Sequence, residues 1–196
     1  MTESGSPAEN AKAELRVKMI ASRRRRPVRQ RAEAADANAR HLADRLAGAP
    51  VVCGFLPLPS EPMSTGLLDL LADRGAAVLV PVVRADSPLD WCRYPGPTTA
   101  GPFGIAEPTG PLLGAEAIVG AAAILVPAFA VDRAGHRLGR GGGHYDRSLA
   151  LLLPMSPPRI AVLFDSEIVP RVPVEPHDQG VTGAVTPTAG VEYFPS

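Results

Sequence analysis

An apolar run that empties into a glycine-rich, basic loop constrains this chain more than any other feature. Ala121 to Pro127 has the length and composition of a strand buried on both faces. A short loop follows, then Arg137-Leu138-Gly139-Arg140-Gly141-Gly142-Gly143-His144-Tyr145-Asp146-Arg147, with a helical pattern from Tyr145 to Leu153. Strand, glycine loop and helix in that order belong to an α/β fold. Glycines let backbone N–H groups approach a ligand closely, and the start of a helix turns its positive end to the same place. Arg137, Arg140 and Arg147 carry forked donors that match phosphate oxygens. Asp146 beside them suits Mg²⁺, which takes one or two carboxylates plus phosphate oxygens. The loop is neither a Walker loop, since Gly-Lys-Ser/Thr is missing, nor a dinucleotide fingerprint, whose glycine spacing differs. A plain tight turn competes with this reading, and the interleaved arginines and aspartate weigh against it.

The rest of the chain extends the pattern. Further strand candidates are Val51–Leu56, Ala77–Val83, Trp91–Tyr94, Pro158–Phe164 and Val181–Thr186. Helical patterns cover Ala11–Ile20, Arg31–Ala47 and Thr65–Asp73, and Phe103–Gly114 reads as loop. The expected fold is a single-domain, open, mostly parallel α/β sheet with helices on both faces: three layers, Rossmann-like, over residues 11–196, with residues 1–10 as a flexible polar lead-in. Ligands then belong at the carboxyl ends of the strands.

Charge excludes several classes of function. Twenty Lys and Arg balance twenty Asp and Glu, so no global field draws the chain to nucleic acid or an acidic membrane. The most apolar stretch, Ile118–Val131, is too short to span a bilayer. The two cysteines, Cys53 and Cys92, form neither a disulfide framework nor a metal-ligand spacing, which fits a reducing cytoplasm. The run Arg23-Arg24-Arg25-Arg26 has no interleaved aromatics and reads as solvated surface rather than a nucleic-acid site. His136 and His177 read as loop histidines, and Trp91 as core.

Val126-Pro127-Ala128-Phe129-Ala130-Val131-Asp132, then Gly135, Arg137 to Gly143 and Tyr145-Asp146-Arg147, resembles the signature of the 5-formyltetrahydrofolate cyclo-ligase (methenyltetrahydrofolate synthetase) family. Weaker likenesses follow in the family's order: Lys12 with Leu15-Arg16, Phe55-Leu56 with Glu61 and Thr65, Phe103-Gly104-Ile105 with Glu107-Pro108, and Pro173 through His177-Asp178. The resemblance implies an ATP-dependent ligase that phosphorylates the formyl oxygen of 5-formyltetrahydrofolate. N10 then closes the ring to 5,10-methenyltetrahydrofolate, releasing ADP and phosphate. It implies that Lys12, Arg16, Arg137, Leu138, Gly139, Arg140, Gly141, Gly142, Gly143, His144 and Tyr145 hold ATP, with Tyr145 and Arg140 at the chemistry. Asp146 and Asp178 would hold Mg²⁺, and Leu56 and Glu61 the folate, which can carry a polyglutamate tail. A cytoplasmic monomer with no nucleic-acid or membrane partner is expected. The chain departs from the pattern at His144, where many members have a tyrosine. It departs again at Glu61-Pro62-Met63-Ser64-Thr65, one residue longer than Glu-x-x-Thr, and at Val181-Thr182-Gly183, which lacks a second C-terminal aspartate. A non-catalytic folate- or nucleotide-binding paralogue, a ligase acting on another substrate, and a nucleic-acid-binding module using Arg23–Arg26 remain open at this stage.

Overall fold

A computed structural model describes residues 6–101, 106–152 and 157–195. Its centre is a seven-stranded sheet. The strands are β1 (Val51–Cys53), β2 (Ala77–Val82), β3 (Asp90–Tyr94), β6 (Ala123–Pro127), β9 (Arg159–Val162), β10 (Gly183–Thr186) and β11 (Gly190–Tyr193). Their order is β11-β10-β9-β6-β1-β2-β3. The neighbours from β10 through β2 are parallel, while β3 and β11 run antiparallel at the two edges. The inner strands are mostly apolar, and β6 and β10 are almost entirely buried, because helices or loops cover both faces. Two small ribbons lie outside the sheet: β4 (Thr98–Ala100) with β5 (Ala106–Pro108), and β7 (Ala130–Val131) with β8 (Arg137–Leu138).

One face of the sheet packs on α2 (Val28–Arg45) and α3 (Thr65–Asp73), through Leu42, Leu67, Leu68 and Leu71. The other is covered by a 3₁₀ segment at Ala115–Gly120 and by α4 (His144–Leu149), through Ile118, Leu149 and a fully buried Trp91. The helix expected over Tyr145–Leu153 is therefore six residues long and starts at His144.

The first helix differs most from expectation. Helix α1 spans Pro7–Arg25, so it takes up the end of the supposed lead-in and the start of the arginine run. Ser6 caps it, its Oγ accepting from the Glu9 N–H at 3.1 Å, and Pro7 supplies a helical φ at the first position. Lys12, Arg16, Met19 and Arg23 recur at helical spacing and form its inward face. Met19 packs with Phe129, Leu138 and Val172, so α1 lies against the β7–β8 ribbon that follows β6. The turn of that ribbon is pinned by buried Asp132, which accepts from the N–H groups of Ala134, His136 and Val172 at 3.0, 3.0 and 2.9 Å.

Candidate active site

From β1 the chain turns to β2 and β3 on one side, then returns to β6, β9 and β10 on the other. Connections leave the carboxyl ends of β1 and β6 in opposite directions, and a crevice opens between them, as this topology requires. A cavity of about 630 Å³ occupies it. Phe55 and Leu56 after β1, Pro127 to Phe129 after β6, and Pro81, Val83, Leu89 and Pro108 give it a mostly apolar wall. A few polar groups converge on it. The Glu61 carboxylate, 8% exposed, accepts from the Leu58 N–H at 2.9 Å through Oε2. Its Oε1 lies 3.8 Å from Arg23 Nη1 and 3.7 Å from Arg140 Nη2. Pro62 does not turn Glu61 away: its carbonyl is held by Asn38 Nδ2 at 2.9 Å, and Glu61 stays in the wall. The Tyr145 hydroxyl is buried without a hydrogen-bond partner among the described residues. Burial pushes its phenol far above the usual range, against the opposing charge of Arg137, so it stays protonated at neutral pH and can donate a hydrogen bond.

A second, polar cavity of about 290 Å³ lies behind the glycine loop, and Arg137, Gly139, Gly141, Gly143 and Asp146 line both spaces. Lys12 and Arg16 enter the smaller one from α1, and Glu175, His177 and Asp178 from the segment before β10. The loop needs glycine here: Gly141 and Gly143 have φ of +97° and +68°, and a Cβ at Gly139 would lie 2.7 Å from Arg137 Nη1. Arg16 donates from Nε to the Gly139 carbonyl at 2.9 Å. Arg137 donates to Asp146 at 2.7 Å, with its ring-facing side toward Tyr145, and its Nε has no partner among the described residues. Lys12 donates to Asp178 at 2.5 Å and to Glu175 at 2.9 Å. Burial pulls the Lys12 ammonium down, but these two carboxylates overcome it and hold it above the usual lysine range. Burial would raise Asp178, and Lys12 with the Glu175 N–H holds it below the usual carboxylate range instead.

The donor set fits the phosphates and cation that the sequence implies. Both metal candidates, Asp146 and Asp178, face the smaller cavity. Glu175, His177 and Asp178 also offer ligand atoms within 4.8 Å of one another. Carboxylates dominate this set, as a hard divalent ion requires.

A profile of the 5-formyltetrahydrofolate cyclo-ligase family matches residues 8–187. The chain belongs to this family. The 5-formyltetrahydrofolate cyclo-ligase of Mycolicibacterium smegmatis is 43% identical over 187 residues, covering 92% of this chain and 96% of the relative. The fold matches the 5,10-methenyltetrahydrofolate synthetase of Aquifex aeolicus with a TM-score of 0.74 at 24% identity, over 94% of this chain and 93% of that one. It matches the Mycoplasma pneumoniae 5,10-methenyltetrahydrofolate synthetase with a TM-score of 0.72 at 16% identity, over 90% and 98%.

Set against the cyclo-ligase signature, most of the expected residues gather at the two cavities, including Glu107 and Pro108, while Phe103, Gly104 and Ile105 lie outside the described residues. Three arginines behave otherwise than expected. Arg147 lines neither cavity; its guanidinium donates to the carbonyls of Ser87 and Gly142 at 3.1 Å and so braces the glycine loop. Arg140 faces the larger cavity, not the smaller, beside Glu61. Arg23 is not solvated surface: it is 2% exposed and reaches the larger cavity. His144, in the position of the family's first tyrosine, takes a hydrogen bond from Arg147 at 3.0 Å on Nδ1. Glu175 was invisible as a site residue because only the fold brings it to Lys12, 163 positions away.

Proposed function

We propose that this chain converts 5-formyltetrahydrofolate and ATP to 5,10-methenyltetrahydrofolate, ADP and phosphate. The observation that carries the reading is the shared wall: an apolar cavity of about 630 Å³ and a polar one of about 290 Å³ meet across Arg137, Gly139, Gly141, Gly143 and Asp146. The first has the size and character of a site for a ring ligand, and the second has the cations and backbone N–H groups that phosphates need. The formyl oxygen is a poor leaving group, and phosphorylation turns it into a good one. The protein's work is therefore to align the terminal phosphate with that oxygen and to offset charge.

In this reading the folate ring packs on Leu56 and Phe55, with Glu61 accepting from the donor edge of the pterin. Lys12, Arg16, Arg137 and the loop at Leu138, Gly139, Gly141 and Gly143 hold the triphosphate. Asp146 and Asp178 would hold Mg²⁺, which would supply positive charge to offset that of the phosphates. Arg137 and Arg140 stand on the two sides of the transferred group. The Tyr145 hydroxyl donates to the formyl or transferred phosphoryl oxygen, and its lack of a partner among the described residues supports that role. Attack of N10 on the activated carbon then expels phosphate. Two buried free cysteines suit the cytoplasm. A polyglutamate tail would extend past the open rim of the larger cavity. The test is absorbance of the methenyl product with purified protein, substrate and Mg²⁺. It should rise only when ATP is added; nucleotide binding with no rise would refute the substrate assignment.

A further inference from the structure

The arginine run contributes one residue to the interior. Arg23 donates from Nε and Nη2 to the two oxygens of Glu167, each at 2.7 Å, and from Nη2 to the Ala128 carbonyl at 2.6 Å. Its carbon lies 4.9 Å from the centre of the Phe129 ring. The remaining nitrogen, Nη1, points to Glu61 Oε1 at 3.8 Å. A guanidinium is planar, so fixing two of its nitrogens fixes the third. Arg140 flanks the same oxygen, but its side chain is 46% exposed, against 3% for Arg23. Water screens the exposed Arg140 charge, whereas Arg23 is buried and held by Glu167, so its Nη1 keeps a fixed place beside Glu61.

We propose that Arg23 is a positioning residue of the substrate cavity: clamped by Glu167 and the Ala128 carbonyl, its guanidinium sets the orientation of the Glu61 carboxylate that recognises the substrate's ring donors. This rests on the folate reading above. Glu61 then has one oxygen tethered by the Leu58 N–H and the other aimed by Arg23, which leaves little freedom to the carboxylate before substrate arrives. A lysine keeps the charge but is a single point donor and cannot hold Glu167, reach Ala128 and face Glu61 together. The run ends a helix whose other inward residues, Lys12 and Arg16, serve the smaller cavity, so one helix carries determinants of both.

A double-mutant cycle on the full chain tests this, with titration calorimetry of 5-formyltetrahydrofolate and, separately, of a non-hydrolysable ATP analogue. Arg23→Lys and Glu61→Gln should each weaken folate binding by about tenfold and leave nucleotide binding within about twofold. The double variant should be no weaker for folate than Glu61→Gln alone, because Arg23 acts through Glu61. Additive losses, or an equal loss for both ligands from Arg23→Lys, would show that Arg23 only fastens α1 and would overturn the proposal. If Arg23→Lys does not fold, Glu167→Gln loosens the same clamp, and its smaller folate loss must likewise vanish in the Glu61→Gln background. Unchanged folate binding in Glu61→Gln itself would overturn the cavity assignment, and the proposal with it.

Discussion

The hydroxyl of Tyr145 is buried with no partner among the described residues, a state that costs roughly 1–3 kcal/mol when a polar group loses water without compensation. On the proposed reading, the hydroxyl makes its bond with ligand. Tyr145→Phe should therefore leave the denaturation midpoint unchanged or slightly higher, while kcat falls about 10- to 100-fold. A fall in stability with activity retained would contradict the role. Asp146 accepts from Arg137 and from the Gln179 N–H, both on Oδ1. Asp146→Asn keeps the shape and should abolish Mg-dependent turnover with circular dichroism unchanged; normal turnover in a well-folded Asp146→Asn protein would remove the metal assignment.

Helix α1 and the β7–β8 ribbon are the elements on which the site is hung. Asp132 Oδ1 holds the ribbon turn through the Ala134 and His136 N–H groups, and its Oδ2 accepts from the Val172 N–H and lies 2.9 Å from His136 Nδ1. Burial would raise the Asp132 carboxyl, but the Val172 N–H and His136 hold it below the usual range. Asp132→Ala should cost about 3 kcal/mol in urea unfolding, since it orphans buried donors. The pH dependence has a definite sign. Asp132 and Asp178 both have depressed folded-state values, so their stabilisation is present above the ordinary carboxylate range and is lost as pH falls through the folded values. Lys12 is raised, so its part is complete below the ordinary lysine value and is lost as pH rises through the folded one. The urea midpoint should thus lose the Asp132 and Asp178 contributions in the acid range and that of Lys12 in the alkaline range, and Lys12→Met should lower the midpoint at neutral pH.

At this scale the inner strands were legible in the sequence because they are buried on both faces, as β6 and β10 show. Strand β11 was not: Gly190-Val191-Glu192-Tyr193 is polar on one face and has no apolar run to mark it. The two-residue strands β7 and β8 are set by Asp132 rather than by propensity. The end of α1 was misread because Arg23 looks like its exposed neighbours Arg24 and Arg25, and only its partner Glu167, 144 positions on, distinguishes it. The glycine loop was legible for the opposite reason: its chemistry is local, with Arg137 and Asp146 nine residues apart.

For the molecule as a whole, two cavities meet across one wall, and α1 contributes Lys12 and Arg16 to one and Arg23 to the other. Ligand that binds only the folded chain stabilises it by about 2.7 kcal/mol at a hundredfold excess over Kd. Saturating Mg·ATP should raise Tm by roughly 5–10 °C for a chain of this size in scanning calorimetry. The central claim is that phosphate is transferred across the shared wall to the formyl oxygen, and oxygen labelling tests it directly. With ¹⁸O in the formyl group of 5-formyltetrahydrofolate, one turnover should deliver the label to inorganic phosphate, read by mass spectrometry. Label released into water, with unlabelled phosphate from the same turnover, would contradict phosphorylation of that oxygen and with it the functional joining of the two cavities.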